Sequence, residues 1–441
     1  MTLFLLSCYF ILFYFLMRRR SFFHNSGIHI ATLMTILGSK VLAGLSYAYL
    51  YKHFFMSGDT FAFYEDSLRI AYTFWDYPMY YIESLLGLPT EIPQDANIFT
   101  YPSQYNFWKD LGTYMTVHFN ALLVPLCCGI YEVQIIFSAF ISLCAGINTY
   151  NVLKKHLHIP NTLLLLSCFL LPSLLFWTSG LHKDVLLFFA ISLALVALDN
   201  KNWTLGISAI LLIGLTRHYC LLFLPIALFS YFLVSFRKGS SVFVFLFAYL
   251  LLFIIGLISI DIFILEEQIL QILQNKQNAF SNELGMARIH TIVSLDSWWH
   301  IVKQAYIPLY NTLLRPFFWE SNNIVHFLAG IENIFILTIF ALAIIFRRKA
   351  LVLNAWWYAL FTFSIGFLFL VGILVVNEGT IVRYRCIPIA FLTMTAFHCT
   401  DFSKIKMLFQ SKKQRMQALQ NIEKQIPYSP SQKNNTNTVS H

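Results

Sequence analysis

The chain has 441 residues, of which 58% are hydrophobic and only 12% charged, and its mean hydropathy is +0.65; a soluble domain of this size is never so apolar. Its formal charge of +9 sits in short basic groups between apolar runs and in the tail, with no basic stripe or binding motif, which argues against nucleic acid as a partner. The eight cysteines have no paired spacing and lie mostly inside apolar runs, so they read as small buried hydrophobes and not as a disulfide framework or a metal site.

A bilayer core about 30 Å thick takes roughly 20 helical residues. That window predicts an all-α, polytopic transmembrane bundle of about eleven spans, with ten to twelve as the range. They lie near 2–17, 28–50, 130–153, 161–178, 185–199, 203–216, 219–236, 241–265, 323–346, 352–376 and 386–400. The first run, Thr2 to Met17, has no basic region ahead of it and no small-residue cleavage site behind it, and is read as a retained span. Val117 to Gly129 is too short for an ordinary span and reads as re-entrant or interfacial; were it to cross, every downstream connection would change sides.

The connections after spans 1, 3, 5, 7 and 9 carry Arg18-Arg19-Arg20, Lys154-Lys155, Lys201, Arg237-Lys238 and Arg347-Arg348-Lys349. Basic loops mark the cytoplasmic side, so this alternation predicts a multi-pass protein with its N-terminus outside and its C-terminus in the cytoplasm. The opposite face receives two long loops, about 51–129 and 266–322, rich in aromatics such as Tyr101, Tyr105, Trp108, Trp298, Trp299 and Trp319. Helices lying flat on the bilayer are expected in both. Residues 1–402 form the body, and 403–441 a basic, largely disordered tail, with a surface helix over Lys404 to Gln425 beside anionic lipid. No internal repeat and no phosphate-cradling glycine loop is present, which argues against direct use of ATP.

Polar clusters interrupt the apolar pattern, and the charge count puts them all on the outer face. Charges near hydrocarbon are expensive, so such groups mark a functional site by default. Asp59 follows Ser57-Gly58 after the second span; a carboxylate there, with its pKa raised by low-dielectric surroundings, suits general-base work on a hydroxyl, and the plainer alternative is a helix cap. In Ser179-Gly180-Leu181-His182-Lys183-Asp184, a tight turn, Lys183 defies the positive-inside bias. It is expected to bind phosphate or to pair with Asp184 or Asp59. Arg217 suits bidentate phosphate contact and His218 proton transfer. Arg383 and Arg385 follow Asn377-Glu378-Gly379-Thr380 and do not share a helix face, so one is expected in the cavity and the other at the headgroups. Arg315 pairs with Glu320 or binds substrate. Asp59, Asp184 and His218 are thus the candidate catalytic groups, and His182, Lys183, Arg217, Arg315, Arg383 and Arg385 the candidate binding groups.

The arrangement resembles membrane-embedded glycosyltransferases of the GT-C type, whose first outer loop carries an acidic motif at the place Asp59 occupies. Ser179-Gly180 with Lys183, and Arg217-His218, are similar to the motifs of bacterial exopolysaccharide and O-antigen polymerases. The resemblance implies a polyprenyl-(di)phosphate-linked sugar donor, a glycan or lipid-linked acceptor, and transfer without a nucleotide. The single Asp59 stands where many such enzymes have an acidic pair, which leaves a divalent cation, Mg²⁺ or Mn²⁺, open. The competing readings are a transporter or flippase for a lipid-linked or anionic substrate, suggested by Lys40 and Asp261 within apolar spans, an outer-face acyl or phosphoryl transferase, and a non-catalytic assembly subunit.

Overall fold

The computed structural model describes residues 1–55, 59–88, 110–236, 266–282, 291–321, 324–349 and 353–410, with positions 246, 249, 416 and 417. Ser57, Gly58, Tyr101, Tyr105, Trp108, Asp261, the expected span at 241–265, Arg237-Lys238 and most of the tail lie outside them. The described residues are helical throughout, with no strand and one isolated backbone bridge, Arg347 to Thr400.

In chain order the helices are α1 (Thr2–Arg19), α2 (Ser21–His24), α3 (Ile30–Leu50), α4 (Asp59–Asp76), α5 (Pro78–Leu85), α6 (Leu111–Leu123), α7 (Tyr131–His156), α8 (Asn161–Phe169), α9 (Pro172–Trp177) and α10 (Lys183–Asn200). Then come α11 (Trp203–Arg217), α12 (Phe223–Phe236), α13 (Glu266–Asn282), α14 (Trp298–Lys303), α15 (Tyr306–Leu313), α16 (Ile324–Ile345), α17 (Ala355–Leu374), α18 (Glu378–Cys399) and α19 (Phe402–Phe409).

Among the described residues six helical stretches are long and apolar enough to cross a membrane: Thr2–Arg19, Ile30–Phe55, Tyr131–His156, Trp203–Phe236, Ile324–Ile345 and Ala355–Leu374. Two more, α10 and α18, match them in length but each carries three charged residues, Lys183, Asp184 and Asp199 in one and Glu378, Arg383 and Arg385 in the other. Three of these six charges, Lys183, Asp184 and Arg383, belong to the site described below. Trp203–Phe236 is interrupted at Arg217, whose backbone (φ −148°, ψ 83°) leaves the helical region before the 3₁₀ turn His218–Leu222. Chain reversal follows: α11 begins beside the end of α10, while the ring of Tyr231 in α12 packs edge-on against Trp356 at the start of α17. The α8–α9 break is set by Pro172, which supplies no N–H to continue the ladder.

α7 is the central helix, buried on every side along its length, and with α1, α3, α8 to α12, α17 and α18 it shares one large apolar core. On α1, α11 and α16 the outward faces are apolar instead, with Phe4, Ile11, Ile207, Leu211, Phe335 and Ile344 exposed, as helices facing lipid require.

Among the described residues, the basic connections gather at one end. Lys155 and His156 reach Asp199 at 2.6 and 2.7 Å, the His158 amide donates to His398 Nδ1 at 2.9 Å, and Arg348 donates to the Thr400 carbonyl at 3.2 Å. The outer-loop helices gather at the other. On α4, Phe63, Ser67, Ile70 and Ala71 are buried while Tyr72 and Trp75 are exposed. Both ends of α6 lie at this end of the bundle: its first turn meets Lys183, and after Cys128 and Gly129, both at positive φ, the chain stays beside α4, where the Tyr64 hydroxyl donates to the Gly129 carbonyl and Thr60 bonds Tyr131 at 2.8 Å.

Two helix contacts near this end are made by main chain. A Cβ at Gly44 of α3 would lie 2.6 Å from the Ser179 carbonyl oxygen, and Gly112 of α6 presses on the Thr216 carbonyl. Gly44→Val is expected to lower stability by about 1–3 kcal/mol through overpacking, seen as a lower Tm in detergent; an unchanged Tm would show that α3 and the 179 turn are not in contact.

Candidate functional site

The turn from Thr178 to His182 is fully buried, so the charges that follow it enter the bundle. Asp184 lies in the first turn of α10 and Arg217 is the last residue of α11, each at the helix end its charge favours. α18 begins earlier than the apolar pattern indicates: Asn377 caps it, accepting from the Gly379 and Thr380 amides at 3.0 and 3.5 Å. Arg383 and Arg385 consequently stand inside a helix and not ahead of one.

Asp184 is the hub. Its Oδ1 accepts from Arg217 Nη2 at 2.7 Å and its Oδ2 from Arg383 Nε at 2.6 Å, with only 3% of its side chain exposed. Arg217 also donates to the Tyr219 hydroxyl, and its guanidinium lies 3.9 Å from the centre of the Tyr384 ring, a cation–π distance. Arg383 reaches outward, with Nη1 3.2 Å from Asp59 Oδ2 and its guanidinium 5.7 Å from the Trp177 ring. Beside them Lys183 donates to both carboxylate oxygens of Asp110, at 3.1 and 3.2 Å. Asp110 in turn caps α6 through the Thr113 amide.

Four of the expected residues, Asp59, Asp184, Arg217 and Arg383, therefore form one hydrogen-bonded group, and Lys183 adjoins it. The partner of Lys183 is Asp110, not Asp184 or Asp59. Asp184 has both oxygens occupied by guanidinium groups and is closed to a substrate proton, so its place is that of an anchor. Asp59 departs from the expected raised pKa: burial pushes its carboxyl up, but the charge and hydrogen bond of Arg383, then Lys183 and His182, outweigh burial and hold it below the ordinary carboxylate value. Further along α4, burial does raise the Asp66 carboxyl, to about 6.

His182 is 2% exposed, neither ring nitrogen has a hydrogen-bond partner, and the Tyr47 ring meets it edge-on at 4.2 Å. Burial first, then the charge of Arg383, pushes it down to about 3, so the ring is neutral. His218 is exposed at the start of the 3₁₀ turn and makes no hydrogen bond to the group. Arg315 pairs with Glu320 at 3.1 Å. Arg385 is neither in the group nor at the headgroups: 1% exposed, it donates to the Thr312 carbonyl at 3.0 Å, to the Arg315 carbonyl and to Asn333 Oδ1. A carbonyl-lined pocket satisfies a buried guanidinium without a facing anion.

Sequence reading missed Asp110, Tyr384, Asn333 and Glu332. The last accepts from the Ser173 amide and hydroxyl at 2.9 Å each, capping α9 where Pro172 breaks the span. Asp110 just ahead of an apolar run carried a capping signal; the others are visible only once the helices pack. An apolar cavity of about 80 Å³, lined by Ile191, Leu195, Leu224, Phe363 and Phe391 among others, lies further along α10 and contains no ionisable group. Among the described residues no three or more His, Cys, Asp or Glu side chains converge as a metal ion would require.

Removing one partner of a buried ion pair strands the other. Asp184→Ala is expected to destabilise the protein by about 3–5 kcal/mol, against under about 1 kcal/mol for Asp59→Ala at the exposed end, measured by denaturant unfolding in micelles; equal effects would remove Asp184 as the anchor. No protein-family model, curated protein or solved structure matches this chain, and the functional reading rests on this geometry.

Proposed function

We propose that the chain is an integral-membrane glycosyltransferase or polysaccharide polymerase. It transfers sugar from a polyprenyl-(di)phosphate-linked donor to a hydroxyl of a glycan or lipid-linked acceptor, at the outer face of a bacterial cytoplasmic membrane, in envelope polysaccharide synthesis. The observation that carries this reading is the convergence of Arg217, Arg383 and Lys183 around Asp184 at the end of the bundle opposite the basic connections. By the positive-inside rule that end is outside, with the C-terminus in the cytoplasm. About eleven spans follow if α10, α18, the α8–α9 pair and the two arms of Trp203–Phe236 each cross, together with α13's preceding apolar run at 241–265.

In this reading the cations stabilise the charge that develops on the departing phosphate oxygen as its bond to the sugar carbon breaks. The acceptor oxygen forms the new bond to that carbon and gives its proton to Asp59, the exposed carboxylate of the group. The rings of Trp177, Tyr384 and Phe63 lie beside the cations and help to hold them in place without neutralising them.

Transport or flipping of a similar anion is the second reading. Lys40 favours it, since this ammonium is wholly buried within α3 and donates only to hydroxyls, Ser142 at 2.8 Å and Thr178 at 3.3 Å, and so does the broken α8–α9 span.

Deletion of the gene is expected to abolish an envelope glycan and to leave its lipid-linked precursor, and complementation by Arg383→Ala or Asp59→Ala to restore about 1% of the product or less. A precursor that accumulates on the cytoplasmic leaflet would favour transport, and unchanged glycans would reject both readings. Cysteines placed at 59 and 218, both exposed, are expected to react with an impermeant reagent from outside the cell and one at 348 only after permeabilisation.

A further inference from the structure

The three cations of the site face three carboxylates, Asp184, Asp59 and Asp110, so the group as it stands is charge-neutral. It has no surplus cation to offer a phosphate or diphosphate, and a ligand of that chemistry gains its contacts only by taking a carboxylate's place.

The carboxylates are not equivalent. Asp184 is sealed, 3% exposed, with its two bonds at 2.7 and 2.6 Å. Asp59 and Asp110 are 58% and 56% exposed, and their bonds to Arg383 and Lys183 are longer, at 3.2 and 3.1 Å. Arg383 and Lys183 are themselves only 13% and 17% exposed, so the cation of each outer pair is held in the protein while its carboxylate sits in water. A pair whose carboxylate stands in water is screened and readily exchanged, whereas breaking a sealed one strands a buried charge. The two exchangeable carboxylates also share an origin: Asp59 opens α4 and Asp110 caps α6, both in the first outer loop, whereas the cations belong to α10 and α18 of the bundle.

We infer that Asp59 and Asp110 are stand-in anions, occupying the places on Arg383 and Lys183 that the phosphate groups of the ligand take, and that ligand binding releases both. The inference deepens the proposed function and rests on it for the ligand class. Release has a chemical consequence for that reaction: Asp59, freed from Arg383, regains proton affinity at the moment the acceptor hydroxyl is to be deprotonated. Asp184 meanwhile keeps Arg217 and Arg383 in position throughout the exchange.

Titration calorimetry of the full-length protein in detergent with inorganic pyrophosphate tests the exchange. Asparagine keeps the shape and the helix-capping ability of aspartate, so Asp110→Asn removes the competing charge without removing the cap of α6 and Asp59→Asn removes it without changing the side chain's size, and each is expected to bind pyrophosphate about fivefold tighter than wild type. Lys183→Met and Arg383→Met are expected to bind at least tenfold more weakly. The tightening should shrink at high salt, where exposed pairs are screened. Aspartate variants that bind no tighter, while wild type binds and the cation variants do not, would overturn the stand-in role and leave the anion site and the proposed function standing. A wild type and an Asp59→Asn/Asp110→Asn double variant that both fail to bind, with Tm unchanged, would overturn the inference together with the phosphate-linked donor. Tighter binding in a protein whose deletion leaves every envelope glycan intact would keep the exchange and reject the transferase.

Discussion

One carboxylate organises the upper end of this bundle. Asp184 stands between an arginine from the end of α11 and an arginine from within α18, and neither guanidinium has another carboxylate as close. Two guanidiniums that would otherwise repel one another are thereby held together, and hydrocarbon-like surroundings make the attraction strong and its loss costly. The turn ahead of α10 is pressed on α3 at Gly44, so the hub is fixed by main chain on one side and by charge on the other. The remaining polar groups are arranged outward from it in order of increasing exposure.

The membrane class and the separation of the two ends were legible because both are written in local composition. Apolar runs of sufficient length, and basic residues in every second connection, need no tertiary information. The inward placement of the charges in the 179–184 turn was also legible, since polar residues in so short a link have nowhere to go but the bundle. What the chain concealed was pairing. Lys183 has Asp184 and Asp59 near it in expectation, yet a helix cap more than 70 positions away takes it, and nothing in the sequence around Asp110 distinguishes a cap that also holds a lysine from one that does not.

Facing was concealed as well. Where α18 begins decides whether Arg383 or Arg385 enters the site, and the apolar pattern starts only after both. The capping asparagine was visible in the sequence, but Glu378, Gly379 and the two arginines obscured a helix that is buried almost all round. The same applies to the break between α8 and α9: Pro172 announces it, while Glu332, which satisfies the freed Ser173 amide, lies 159 positions later and reads in the sequence as an isolated acid within an apolar run.

Arg383 and Arg385 stand two positions apart on one helix and keep very different company. The first is held by carboxylates, which an arriving anion rivals on equal terms. The second is held by main-chain carbonyls and an amide side chain, uncharged groups that no anion replaces and that neither proton nor salt alters. The helix is therefore moored at one arginine and negotiable at the other, so traffic through the charged group leaves its register against α15 and α16 undisturbed.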